Sequence, residues 1–164
     1  MKLNQQKLIE KKHIVLGKTL IIGFFGGVFL TIVLGVFHYF SMTEINIFKP
    51  WKIFFKKMDW PVKWYIYPLW IISFGVVSII PAIGYFLIGR NRIHWIIGAL
   101  YGLGFGLLIY VVLPNLLWDY HIWDLYAWKT HISMLVCSII YGVFIGYSIS
   151  YENATQSYLL EQQE

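Results

Sequence analysis

The sequence predicts an all-α, polytopic membrane protein: a bundle of four transmembrane helices with a short interfacial amphipathic helix in its first loop. Three observations carry this. Apolar residues make up 59% of the 164-residue chain and charged residues only 13%, about half the usual charged fraction of a soluble domain. The apolar residues gather into four runs, each near the roughly 20 residues needed to cross a bilayer. Three of those runs carry small residues at four-residue steps: Thr19, Gly23, Gly27, Thr31 and Gly35; Gly98, Gly102 and Gly106; Ser138, Gly142, Gly146 and Ser150. In lipid, such a stripe lets two helix backbones approach closely. A soluble fold would have to hide four nearly all-round apolar helices with too little polar surface to cover them.

Residues 1–18 read as a basic cytoplasmic tail, with Lys2, Lys7, Lys11, Lys12 and Lys18 set against Glu10. Unstructured ends are the default for such polar tails. The four-helix membrane domain covers residues 19–150. Its first span, 19–40, contains no Asp, Glu, Lys or Arg. It is too long for the apolar core of a cleavable signal and is expected to stay as an anchor. A short helix is expected at about 50–59. There Trp51, Phe54, Phe55 and Met58 share a face, while Lys49, Lys52, Lys56, Lys57 and Lys63 are available to lipid headgroups. Such a segment lies in the membrane surface, drawn by anionic lipid; the alternative is an ordinary amphipathic loop that only tethers the first two spans.

The second span is 64–88. Pro81 lies deep inside it and should kink it or open its hydrogen-bond ladder. The third span, 93–113, follows the turn Gly89-Arg90-Asn91-Arg92 and stops before Pro114. The fourth, 131–150, contains the single cysteine, Cys137, which is expected to act as a small apolar side chain. A polar C-terminal tail occupies 151–164.

Four spans place both ends on one side of the membrane. Counting basic residues barely separates the two sides. The tight Arg90/Arg92 turn and the loop 115–128, which holds Asp119 and Asp124 but no Lys or Arg, favour both termini inside. Asn153-Ala-Thr155 fits a glycosylation acceptor but falls in the expected cytoplasmic tail.

The basic tail, the four spans, the lysine- and aromatic-rich first loop and a last helix reading Tyr141-Gly-Val-Phe-Ile-Gly-Tyr-Ser-Ile-Ser150 resemble the YqhR family of small membrane proteins of spore-forming Firmicutes. The resemblance covers nearly the whole chain. It implies a membrane protein and brings no catalytic or ligand residues with it.

Chemistry-bearing motifs are scarce. None of the eight carboxylates or thirteen Lys and Arg residues falls mid-span, although proton and ion pathways rely on such groups. Gly102-Leu-Gly-Phe-Gly106 is a packing stripe in an apolar helix, without the strand a phosphate-binding loop needs. The one constellation of metal-ligand type is Asp119, His121, Asp124 and His131. Carboxylates and imidazoles of this kind suit a divalent cation, but the spacing matches no known signature, and the surrounding Trp and Tyr residues also describe an interfacial aromatic belt. No cofactor is expected. The net charge of +5 resides mainly in lysines at the membrane edge, which points to anionic lipid rather than nucleic acid. The leading expectation is a non-enzymatic accessory or scaffold protein that associates with other membrane proteins or with a second copy. The alternative is a small transporter or channel with an outer-face metal or lipid site, and a membrane enzyme using Asp119, His121 and Asp124 ranks third. The long stripe of the first span is the one expected to remain free for a partner.

Overall fold

The computed structural model describes residues 2–44, 66–89, 95–112 and 126–162. All regular structure among them is helical: α1 (Lys2–Tyr39), α2 (Ile66–Val77), α3 (Ile79–Ile88), α4 (Trp95–Leu107) continued by a π-helical turn (Leu108–Val112), and α5 (Trp128–Glu161). Four stretches are long and apolar enough to cross a membrane: Lys12–Tyr39, Pro68–Ile88, Trp95–Val112 and Trp128–Leu159. The interfacial helix expected at 50–59 lies outside the described residues.

The two long helices form the frame. α5 packs against α4 on one side and α1 on the other, and α1 in turn packs against α2 and α3. The core contains Val15, Ala82, Tyr85, Phe86, Tyr141, Ile145 and Ile149, all buried. A smaller cluster joins Leu34 and Cys137 to Trp70, Phe74 and Met134. Elsewhere the large apolar side chains face outward, among them Phe25, Ile80, Leu87 and Leu100. That is the expected distribution where the solvent is hydrocarbon and burial between helices gains little over lipid contact.

Two features depart from the sequence expectation, and a third meets it. Both tails, expected to be unstructured, are helical: α1 begins at Lys2 and α5 runs on to Glu161. Propensity alone rarely holds a free helix in water, but here each tail extends a helix already nucleated in the apolar region. Lys18 and Glu152, one from each tail, also form an ion pair between the two helices.

The second departure concerns the first span. Its stripe is not left free, because Gly23 and Gly27 pack within the chain. A Cβ on Gly23 would lie 2.7 Å from that of Ala82, and one on Gly27 would lie 2.6 Å from the Phe74 carbonyl oxygen and 2.9 Å from the Gly75 Cα. Thr19 and Thr31 are buried on the same stripe and bond back to the carbonyls of Val15 and Gly27. Gly35 alone of the stripe's glycines has open space around it.

The third feature is the break expected at Pro81: the second span is interrupted at Ser78, one turn before that proline. Proline has no N–H, so the Val77 carbonyl loses its helical donor, and the next bond, from the Ala82 N–H to the Ser78 carbonyl, is long at 3.4 Å.

Candidate functional site

Polar chemistry collects at three levels of the bundle. The first is around the broken second span. Tyr141 on α5 donates its hydroxyl hydrogen to the Ser78 carbonyl at 3.1 Å. Its single hydrogen is thereby used, so the Ser78 hydroxyl donates to the Tyr141 oxygen in the short contact between them. Tyr101 on α4 donates to the Pro81 carbonyl at 2.7 Å, and Tyr85 meets Ser150 at 3.2 Å. An unpaired backbone group in hydrocarbon costs several kcal/mol. These hydroxyls give the Ser78 and Pro81 carbonyls partners from neighbouring helices beside the break.

The second level is the end where α1 stops and α5 begins. Ser41 adopts φ 57°, the left-handed conformation that closes a helix. Its N–H bonds the His38 carbonyl, and the Met42 N–H bonds that of Phe37. The released strand then binds α5. The Ser133 hydroxyl hydrogen is shared between the Met42 carbonyl at 2.9 Å and the Lys129 carbonyl of its own helix at 2.8 Å, and the Glu44 N–H donates to the Thr130 hydroxyl at 3.1 Å. The Glu44 carboxylate accepts from the Ala127 N–H at 3.3 Å and lies 3.9 Å from the Lys129 ammonium. Glu44 therefore acts as a distant N-cap for α5, placing negative charge at the positive end of the helix dipole.

His131 is buried in this layer. Its Nε2 lies 3.1 Å from the Tyr126 carbonyl and its Nδ1 3.0 Å from the Tyr110 hydroxyl. A carbonyl only accepts, so Nε2 carries the proton and Nδ1 accepts from Tyr110. The lone pair a metal would need already holds the tyrosine of the π-helical turn. The other candidate ligands, Asp119, His121 and Asp124, lie outside the described residues, as do Lys49, Lys52, Lys56, Lys57 and Lys63. Among the described residues no three His, Cys, Asp or Glu side chains converge.

The third level is the α4–α5 seam. Gly98 lies against Gly142 and Gly146, Gly102 against Ser138 and Gly142, and Gly106 against Ser138. A Cβ at Gly102 would stand 2.6 Å from the Gly142 Cα, and one at Gly98 2.6 Å from the Gly142 carbonyl oxygen. The contact is backbone on backbone, with the geometry for Cα–H···O contacts between helices. Sequence reasoning missed the tyrosine and serine hydroxyls around Ser78. Their signal was Pro81 itself, whose missing N–H calls for donors from neighbouring helices.

Comparison with known proteins agrees with this architecture. The family described as "Conserved membrane protein YqhR" matches residues 1–164. The chain belongs to the YqhR family. It is 32% identical over 140 residues to "Uncharacterized protein YqhR" of Bacillus subtilis (strain 168), an alignment covering 83% of this chain and 76% of that protein. No solved structure matches. Membership of the YqhR family and the four candidate spans together identify a conserved membrane protein.

Proposed function

We propose that the protein is a non-enzymatic scaffold or accessory protein of the cell membrane, with both tails in the cytoplasm, that holds other membrane proteins. The carrying observation is the length of α1 and α5. With 38 and 34 residues each is far longer than the roughly 20 that cross a bilayer, and both surpluses fall on the same side, where Lys18 meets Glu152. Beyond that ion pair α5 exposes Tyr158 and Leu159, with Tyr151 beside it. Large exposed aromatics of this kind are typical anchors of protein interfaces. The mid-span hydroxyls, by contrast, are spent on backbone carbonyls and on one another.

The test places a photo-crosslinking amino acid at Tyr151 or Tyr158 in cells at native expression, followed by isolation in mild detergent. A discrete adduct formed from Tyr158, and absent when the label sits at lipid-facing Leu100, is the expected result. A chain recovered only as uncrosslinked monomer at every position removes the scaffold reading. Reporter fusions at the two ends address orientation separately: both are expected to report the cytoplasm, and an exported C-terminus rejects that topology.

A further inference from the structure

We propose that Gly75 to Pro81 is a hinge about which α2, the first half of the second span, swings as a unit against a frame made by α1, α3, α4 and α5. The two halves of this span are held very differently. In α3, Pro81, Ala82, Tyr85 and Phe86 are buried, and Tyr85 and Pro81 are tied to α5 and α4 through Ser150 and Tyr101. In α2, Gly75 alone is buried among the residues from Pro68 to Val77, while Leu69, Ile72, Val76 and Val77 are more than half exposed or nearly so. α2 rests on α1 and, through Trp70 and Phe74, on the Leu34–Cys137 cluster.

The connection between the halves is built to bend. The helical ladder lacks the bond that Pro81 would have supplied and is stretched at the next, Ala82 to Ser78. The Ser78 carbonyl keeps its bonding from outside the helix, through the Tyr141 hydroxyl, so a change of angle need not strand it. Directly beside the break, Gly27 of α1 meets Phe74 and Gly75 backbone to backbone. With no side chain on either glycine, the two helices touch closely beside the pivot, where the Phe24 ring and the Ser78 side chain also lie. Proline breaks within apolar helices are where sharp bends concentrate, and a hinge needs only a few residues to absorb the change. Leu69 lies nine residues from Ser78, so a bend of about 20° displaces it by about 5 Å. Such a swing changes the distance between α2 and the π-helical turn of the third span.

The experiment uses the full-length protein in lipid nanodiscs with Cys137→Ser as background. Paired spin labels replace Leu69 on α2 and Leu108 on the π-helical turn, or Ile21 and Leu100 within the frame, all four positions being exposed. The Leu69–Leu108 distances are expected to spread over about 5 Å more than those of the frame pair. Pro81→Ala, which gives Val77 back its donor, is expected to collapse that spread to one narrow population. Tyr141→Phe, which keeps Pro81 but removes the hydroxyl from Ser78, is expected to shift the balance between populations. The frame pair stays unchanged throughout. A wild-type Leu69–Leu108 distribution as narrow as the frame pair overturns the proposal, as does a folded Pro81→Ala variant with the spread intact. Should Pro81→Ala fail to fold, the wild-type comparison and Tyr141→Phe decide, and no shift in the latter counts against the hinge.

Discussion

Replacing Gly102 with alanine adds one methyl group and should separate two helices. The new carbon would stand 2.6 Å from the Gly142 Cα and 2.8 Å from the Gly142 nitrogen. Carbon atoms settle at about 3.5–4.0 Å, so the helices must part by about 1 Å. The Ser138 carbonyl oxygen obstructs it as well; all three atoms are backbone, and no rotamer change relieves them. Taking the seam as about 40 atom pairs, comparable to one buried leucine, at ~0.15 kcal/mol each gives about 6 kcal/mol of dispersion. A gap of about 1 Å forfeits between a third and a half of that, or about 2–3 kcal/mol, within the range known for overpacked cores. The folded-to-unfolded ratio should fall by about 30- to 150-fold.

Gly104 supplies the control. It lies on the same helix, and a Cβ there would meet nothing within 4 Å, so Gly104→Ala should be neutral or stabilising by up to about 1 kcal/mol through helix propensity. Reversible unfolding of the purified protein in mixed micelles reads both variants. Wild-type stability for Gly102→Ala, or equal damage from Gly104→Ala, would refute the backbone-contact reading.

Two smaller effects follow from the end where α1 hands over to α5. Ser41→Gly should stabilise by about 1 kcal/mol, because a left-handed φ of 57° costs a residue with a Cβ about that much; a lowered melting temperature would contradict it. Glu44→Ala should cost about 1 kcal/mol by removing the cap on α5. Faster hydrogen exchange at the Ala127 to Thr130 amides checks this, and unchanged protection there would show the carboxylate to be idle.

The spans were readable because a charge-free run in a short chain has few alternatives to a membrane helix. The neighbouring third and fourth spans, each with small residues at four-residue steps, made their antiparallel contact easy to anticipate. Which face of α1 would be covered was not readable. A stripe such as Gly23 and Gly27 specifies close approach but not the neighbour, and here the second span fills the place expected for a partner. The helical tails were hidden for another reason: their stability comes from the helices they extend and from Lys18 with Glu152, which are 134 residues apart. Pro81 announced a break, yet the hydroxyls that gather beside it, Tyr141 and Tyr101, are recognisable only once three helices are in place. The capping role of Glu44 was hidden because it depends on a helix start more than 80 residues away.

The surplus length of α5 also sets an electrical distance. From Ser150 to Glu161 the helix rises by about 16 Å, whereas at physiological ionic strength charges are screened over about 8 Å. With Ser150 at the edge of the span, the tip stands some two screening lengths from the lipid headgroups. A molecule meeting the tip is then sorted by the side chains there, while the anionic surface below has little say in the choice. The base of the same helix, where Lys18 and Glu152 pair, stays within reach of that surface and remains sensitive to its composition.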